Sequence, residues 1–133
     1  MTYKMIFEKY RNIAVYGMSK NPLKPSNTVP MYFMEHGFNI IPINPTIDEI
    51  NGKKSYPKLI DVPDEIEVLD VFRPSADCLD VVREAVERKN IKGDIHLIWL
   101  QEGIVNEEAR KLAESNGIEF VQDKCMYKEY VRA

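Results

Sequence analysis

The chain has 133 residues, of which 44% are hydrophobic and 29% charged, a composition typical of one globular domain over residues 1–133. Its apolar runs are strand-sized and shorter than the about 18 residues that cross a membrane, which argues against a membrane partner. The formal net charge of −3 argues against bulk nucleic-acid binding, because recognition of a phosphate backbone needs a basic face. The first segment, Met1 to Tyr10, has the charges and spacing of a short amphipathic helix rather than the apolar core of a secretory signal.

Short runs rich in Val and Ile predict the strands of a sheet. There are five such runs, at 13–16, 39–43, 68–72, 95–100 and 119–121. Apolar and polar residues barely alternate within them, which is typical of parallel strands covered on both faces.

The segment after the first strand predicts a helix over residues 28–36. Its expected cap is Asn27 or Thr28, and Pro30 would then lie in the first turn, where a missing N–H costs little. On this reading Ser26 remains in the loop before the helix, free to contact a bound group.

Two further helical segments follow Pro74 and Asn106, whereas residues 45–63 show no clear period and predict a loop with at most a short strand or turn. Strands that alternate with helices form a sheet with helices on both faces. We therefore predict an α/β, Rossmann-like fold with a single doubly wound, parallel five-stranded sheet and the strand order 3-2-1-4-5.

Polar and flexible residues follow every predicted strand. They are Gly17-Met18-Ser19-Lys20, Asn44-Pro45, Arg73-Pro74, Gln101-Glu102-Gly103 and Asp123-Lys124-Cys125. In a doubly wound sheet, ligands bind beyond the carboxyl ends of the strands, near the point where the strand order reverses. We expect a binding site at this edge.

The first of these loops has the composition of a phosphate site. Gly17 permits a tight turn and Ser19 supplies a hydroxyl, while Lys20 and Lys24 add positive charge before a helix whose N-terminus offers free N–H groups. Ser26 is a further candidate for a phosphate oxygen. Each of these residues also has a purely structural interpretation, as a strand end or a solvated side chain, but polar residues after all five strands favour a site.

The same loop differs from the dinucleotide fingerprint. A G-x-G-x-x-G frame placed on Gly17 has Ser19 and Pro22 where glycines belong. The second strand ends in Asn44-Pro45, without the acidic residue that holds a ribose diol in NAD-binding folds. Ordinary NAD binding is therefore not expected.

Taken together, six segments resemble the small CoA-binding proteins related to the N-terminal domain of the succinyl-CoA synthetase alpha subunit. They are NIAVYGMS, NPLKPS, IIPINP, VLDVFRP, WLQEGIVNEEA and VQDKC, and the resemblance covers nearly the whole chain. It implies a cytoplasmic Rossmann domain that binds coenzyme A or acyl-CoA. The implied contacts are Gly17, Ser19 and neighbouring loop residues such as Met18 at the pyrophosphate, Asn44, Pro45, Phe72 and Arg73 around the nucleotide, and Gln101 and Gly103 near the pantetheine arm.

The resemblance implies no settled reaction, because the larger synthetase needs further domains and a phosphorylated histidine without counterpart here. We expect non-covalent CoA binding by a carrier, sensor or subunit, with no complete catalytic site and no metal site. The alternatives are an acyl-CoA or nicotinamide-dependent enzyme and an interaction subunit whose nucleotide site has decayed. A homo-oligomer or a partner subunit remains open. Asp70 is not expected to act in acid–base catalysis, since it lies within a strand.

Two further residues are candidates for ligand contact. Tyr56, in the irregular crossover, could stack on an adenine. Cys125 follows the fifth strand on the ligand edge and could form a mixed disulfide with the CoA thiol, or it could be a small buried side chain. Cys78 belongs to a helix expected to face away. Two cysteines so far apart form no disulfide framework, which fits a reducing cytoplasm.

Overall fold

Helices and strands alternate along the structure, a computed structural model that describes residues 1–133. The strands are β1 (Asn12–Tyr16), β2 (Asn39–Ile43), β3 (Glu49–Ile50), β4 (Lys53–Lys54), β5 (Val68–Val71), β6 (Leu97–Leu100) and β7 (Glu119–Val121). The α-helices are α1 (Tyr3–Lys9), α2 (Pro25–Glu35), α3 (Cys78–Lys92), α4 (Glu107–Ser115) and α5 (Met126–Arg132). None of these helices is both long enough and apolar enough to cross a membrane.

The central sheet has five strands in the order β2-β1-β5-β6-β7, and every pair in it is parallel. The strand order reverses between β1 and β5, because the chain leaves β1 for β2 on one side and returns on the other. The predicted doubly wound α/β fold is therefore confirmed.

A short segment of the irregular crossover extends the sheet beyond β2. Tyr56 forms a parallel bridge with Ile43, and its N–H donates to the Pro42 carbonyl at 3.0 Å. With this segment counted as the third strand, the sheet follows the predicted 3-2-1-4-5 pattern, and β7 extends it. The run at 68–72, which we had counted as the third strand, takes the fourth position and pairs with β1. The sequence allowed a short strand in this crossover but did not locate it, because the segment has no apolar periodicity.

Helices cover both faces of the sheet, as the uniformly apolar strands predict. All four residues of β5 and all four of β6 are buried. Helices α3 and α4 pack on one face around Val82 and Ala109, whereas α1, α2 and α5 pack on the other around Phe7 and Phe33. Burial on both faces leaves the ends of the strands as the places where a ligand can reach the sheet.

The crossover between β4 and β5 is held by a buried arginine. Arg88 of α3 is 2% exposed and pairs with Asp94 at 2.8 Å. Its guanidinium also donates to the carbonyls of Val62 and Asp64, at 3.0 and 2.8 Å. Because a buried charge is costly unless every donor is satisfied, this network fixes the irregular segment against α3 just before β5.

Candidate functional site

Two open cavities lie at the carboxyl edge of the sheet and meet at Arg73. The β5–β6 cavity, of about 610 Å³, opens beyond those strands between α2 and α5, and its lining includes Lys24, Ser26, Phe72, Arg73, Gln101 and Cys125. The β1–β2 cavity, of about 510 Å³, opens beyond those strands beside α3, and its lining includes Gly17, Asn44, Pro45, Arg73, Asp77 and Asp80. Both therefore lie at the reversal of strand order, where the sequence predicts a site.

The two cavities carry opposite charge. The β5–β6 cavity is lined by the cations Lys24, Arg73 and Lys128 and by the single carboxylate of Glu102. The β1–β2 cavity is lined by the acidic residues Asp77, Asp80 and Glu84 and by the single cation Arg73. An anionic group is favoured in the first cavity or at Arg73 between the two, whereas hydrogen-bond donors are favoured in the second.

Gly17 lets the tips of β1 and β5 approach each other closely. Its φ is +88°, and a Cβ built on it would lie 2.6 Å from the Phe72 carbonyl oxygen. A residue with a side chain would meet both the strain of the left-handed conformation and a clash with backbone. The predicted tight turn is present, and the close approach explains why glycine is needed there.

Helix α2 begins three residues earlier than predicted, at Pro25 rather than Thr28. The residue at the cap position is Lys24, which makes no side-chain cap, and Pro25 occupies the first turn. Pro30 instead lies inside the helix. The prediction was wrong about which proline lies in the first turn. Because α2 begins at Pro25, Ser26 belongs to the first helical turn rather than to the loop. The backbone N–H of Ser26 has no protein acceptor.

The internal proline explains how the first loop is held. Pro30 has no N–H, so the Ser26 carbonyl cannot accept its usual helical hydrogen bond. That carbonyl accepts instead from the Ser19 N–H at 3.2 Å. The buried Asn27 side chain, which we had expected as a cap, donates to the Ser19 carbonyl at 2.8 Å. Ser19 is thus fixed against α2 without lining either cavity.

Asn44 joins the tips of β1 and β2. Its Nδ2 donates to the Met18 carbonyl at 3.0 Å, and its Oδ1 accepts from the Thr46 N–H at 2.9 Å. The Met18 side chain is fully buried in the core, so only its backbone belongs to the edge. Asn44 therefore shapes the β1–β2 cavity by fixing two loops.

Arg73 separates the two cavities and is partly exposed. Its Nη2 lies 2.8 Å from Oδ2 of Asp77, and the two side chains are 47% and 46% exposed. Ion pairs this exposed contribute little stability. The guanidinium can therefore exchange this partner for an anion in either cavity.

A buried carboxyl lies beneath the β5–β6 cavity. Asp70, 1% exposed, accepts a hydrogen bond from Nε2 of Gln101, and Oε1 of Gln101 accepts from the Met126 N–H at 3.2 Å. Burial raises the pKa of Asp70 to about 7, although the Gln101 hydrogen bond acts in the opposite direction. Asp70 was not expected to act in acid–base catalysis because it lies within a strand. The sequence signal that marks it is a lone acidic residue in an otherwise apolar run.

Only one of the two cysteines faces the candidate site. Cys125, at the start of α5, is partly exposed and lines the β5–β6 cavity. Cys78 is fully buried, and its Sγ lies 3.5 Å from the Pro74 carbonyl oxygen. Burial raises the pKa of the Cys78 thiol to about 11, with a smaller contribution from Asp77.

Three other predicted residues lie apart from both cavities. Lys20 is exposed on the first loop. Gly103 has a φ of +84°, and its N–H donates to Asp123 at 2.7 Å, so it shapes the turn after β6. Tyr56 lies at the outer side of β2, where the Lys54 ammonium is 5.2 Å from its ring centroid. None of these three residues lines either cavity.

Comparisons with known proteins give consistent matches over most of the chain. A family described as "CoA binding domain" matches residues 11–131. The uncharacterized protein YneT of Bacillus subtilis is 35% identical over 123 residues, which is 92% of this chain and 87% of that protein. A hypothetical protein from Pyrococcus horikoshii is 35% identical, with a TM-score of 0.90. The match covers 98% of this chain and 88% of the Pyrococcus chain.

A larger enzyme matches over part of its length. Acetate–CoA ligase [ADP-forming] II of Archaeoglobus fulgidus is 32% identical over 87 residues, which is 64% of this chain but only 13% of the ligase. The similarity therefore concerns one segment of that enzyme.

Proposed function

Because the chain belongs to the family of CoA binding domains, we propose that it binds coenzyme A or acyl-CoA non-covalently at the carboxyl edge of its sheet. The observation that carries this proposal is the pair of cavities of opposite charge that meet at Arg73. CoA joins a phosphorylated adenosine to a long neutral arm through a pyrophosphate. A ligand of this shape needs two adjoining spaces with a cation at their junction.

The charges of the two cavities suggest an orientation for the ligand. The pyrophosphate would lie by Arg73 and Lys24, near the free N–H of Ser26 at the start of α2. The adenosine would occupy the β1–β2 cavity with its phosphate towards Arg73, and the Asp77 and Asp80 carboxylates can accept hydrogen bonds from the one free ribose hydroxyl and the adenine amino group. The pantetheine arm would extend along the β5–β6 cavity.

We propose that the chain acts as a carrier, a sensor or a subunit, as a single CoA-binding unit in the cytoplasm. The similarity to one segment of an acetate–CoA ligase supports a subunit role, because the matching segment makes up only 13% of that enzyme. Both cysteines are free, as thiols are in a reducing compartment.

Titration calorimetry with CoA, dephospho-CoA and NAD tests the proposal. NAD is the informative competitor, because Asp77 and Asp80 could hold a ribose diol even though β2 ends without an acid. We expect CoA to bind more tightly than NAD. Equal or tighter binding of NAD would contradict the assignment, and binding of neither would favour an interaction subunit with a decayed site.

A further inference from the structure

Gln101 lines the β5–β6 cavity and has one side-chain hydrogen-bond donor without a protein partner. The side chain lines this cavity but is only 4% exposed. A glutamine amide offers two N–H donors and one oxygen acceptor. One donor goes to Asp70, and the oxygen accepts from the Met126 N–H. The second N–H therefore has no protein partner.

The orientation of this amide is determined by its neighbours. The Met126 backbone N–H can only donate, so the oxygen of Gln101 must lie on the side of Met126. Asp70 then accepts from the nitrogen on the other side. If the amide were turned over, the Gln101 NH2 group would face the Met126 N–H, two donors would meet, and the hydrogen bond with Met126 would be lost. The Met126 contact thus fixes the orientation of the amide.

We infer that Asp70 is a positioning residue, which holds Gln101 so that its second N–H donates to a carbonyl oxygen of the pantetheine arm. This inference rests on the proposed function and identifies the part of the ligand that the β5–β6 cavity selects. The arm contains two amide groups, whose carbonyl oxygens are acceptors, and an acyl thioester adds a third. The nucleotide portion alone does not reach this donor.

Burial makes the arrangement effective. Gln101 is only 4% exposed, so its free donor is poorly satisfied by bulk water, and a ligand acceptor gains more from it than an exposed donor would provide. No charged side chain contributes to the pKa of Asp70, which is governed by burial and by Gln101. The carboxyl therefore has Gln101 as its main polar partner.

Nitrogen-15 NMR of the wild-type protein tests the inference directly, because the chain has only two glutamines, Gln101 and Gln122. Gln122 is the internal control, since its side chain is engaged by Glu107 and Asn106 away from the cavities. We expect CoA to shift one side-chain amide proton of Gln101 and to leave Gln122 unchanged. Adenosine 3′,5′-bisphosphate, which lacks the arm, should shift neither. An equal Gln101 shift with both ligands, or none with bound CoA, overturns the inference.

A pair of substitutions at Asp70 separates positioning from a general structural role. In Asp70→Asn the amide oxygen can still accept from Gln101, whereas Asp70→Leu keeps the branched shape of the side chain but is larger and has no acceptor. We expect Asp70→Leu to bind CoA about two- to tenfold more weakly, with unchanged affinity for adenosine 3′,5′-bisphosphate and with Asp70→Asn close to wild type. Equal losses for both ligands, or wild-type CoA affinity in a folded Asp70→Leu, contradict the inference. If wild-type protein binds adenosine 3′,5′-bisphosphate and CoA equally, the arm makes no contact; if it binds neither, the proposed function itself has failed.

Discussion

Arg73 is the residue at which the two cavities meet, and its ion pair with Asp77 is too exposed to hold it firmly. We expect Arg73→Ala to weaken CoA binding about tenfold or more, because a hydrogen bond to a charged group contributes about 1.5–3 kcal/mol. Calorimetry measures this change. Arg110→Ala is the matched control, since Arg110 forms a similar exposed ion pair with Glu107 at 2.7 Å and neither residue lines a cavity. If the two variants bind CoA with similar affinity, Arg73 forms only a surface ion pair and does not contact the ligand.

Asp70 links the stability of the protein to pH. Its pKa is about 7 in the folded protein and 3.8 when unperturbed, so between these values the folded chain holds a proton that the unfolded chain loses. The free energy of unfolding contributed by this group therefore falls as pH rises through this window, with a slope approaching about 1.4 kcal/mol per pH unit. Below pH 3.8 both states are protonated, so the pH dependence vanishes and the stabilising contribution of the protonated group is fully present.

Asp70→Asn removes this dependence. We expect the free energy of unfolding of wild type, relative to the variant, to decline from about pH 4 to pH 7 and to level off above it. Urea unfolding at several pH values measures the difference. Asp80→Asn, at an exposed position, serves as the control. Parallel curves for wild type and Asp70→Asn would show that Asp70 does not titrate in this range.

Cys125 lines the cavity proposed for the pantetheine arm, which ends in a thiol. With CoA disulfide as the oxidant, the Cys125 thiolate would attack one sulfur, form a mixed disulfide and release one molecule of CoA as its thiol. We expect intact-protein mass spectrometry to show a DTT-reversible gain of one CoA. Cys125→Ser should abolish the adduct, whereas Cys78→Ser should retain it because Cys78 is fully buried. The absence of an adduct, or its location on Cys78, would support a purely structural Cys125.

At the scale of elements, the turn from β1 to α2 provides a test of close packing. Gly17 and Gly37 share a φ of +88°, but a Cβ on Gly37 would meet nothing within 4 Å, whereas one on Gly17 would meet the Phe72 carbonyl oxygen. We expect Gly37→Ala to cost about 1 kcal/mol from the left-handed conformation alone, and Gly17→Ala at least about 1–2 kcal/mol more. Denaturant unfolding compares the two, and CoA affinity should fall only for Gly17→Ala. Equal losses of stability would mean that the end of β5 shifts to accommodate the added Cβ.

The same turn shows what local sequence reasoning can and cannot establish. Strand β1 and the need for glycine after it were predictable, because an apolar run followed by glycine is a local signal. The start of α2 was not, since both Pro25 and Pro30 suit a first turn by local rules. The choice depends on Ser19, whose N–H satisfies the carbonyl that Pro30 leaves free. That contact is formed only by the folded loop.

At the scale of the whole molecule, the alternation of strands and helices predicted which edge of the sheet carries the site. It did not predict that β5 lies beside β1, because the segment around Tyr56, which occupies the edge of the sheet, has no apolar period. The Asp70–Gln101 contact was equally beyond prediction, since it joins residues 31 positions apart, one in β5 and one immediately after β6. Parallel pairing brings such residues together, and the sequence of either strand alone does not reveal it.

A ligand that spans both cavities should protect one edge of the molecule and leave the other unchanged. The carboxyl ends of β1, β2, β5 and β6 share that edge because these strands are parallel. We expect hydrogen exchange followed by mass spectrometry to slow on addition of CoA in peptides covering residues 17–28, 72–81 and 101–105. Exchange near residues 64–67 and 93–96, at the opposite edge, should change little, since bound CoA contacts neither segment. Equal protection at both edges would indicate global stabilisation by mass action, and protection confined to residues 64–67 and 93–96 would place the ligand away from Arg73.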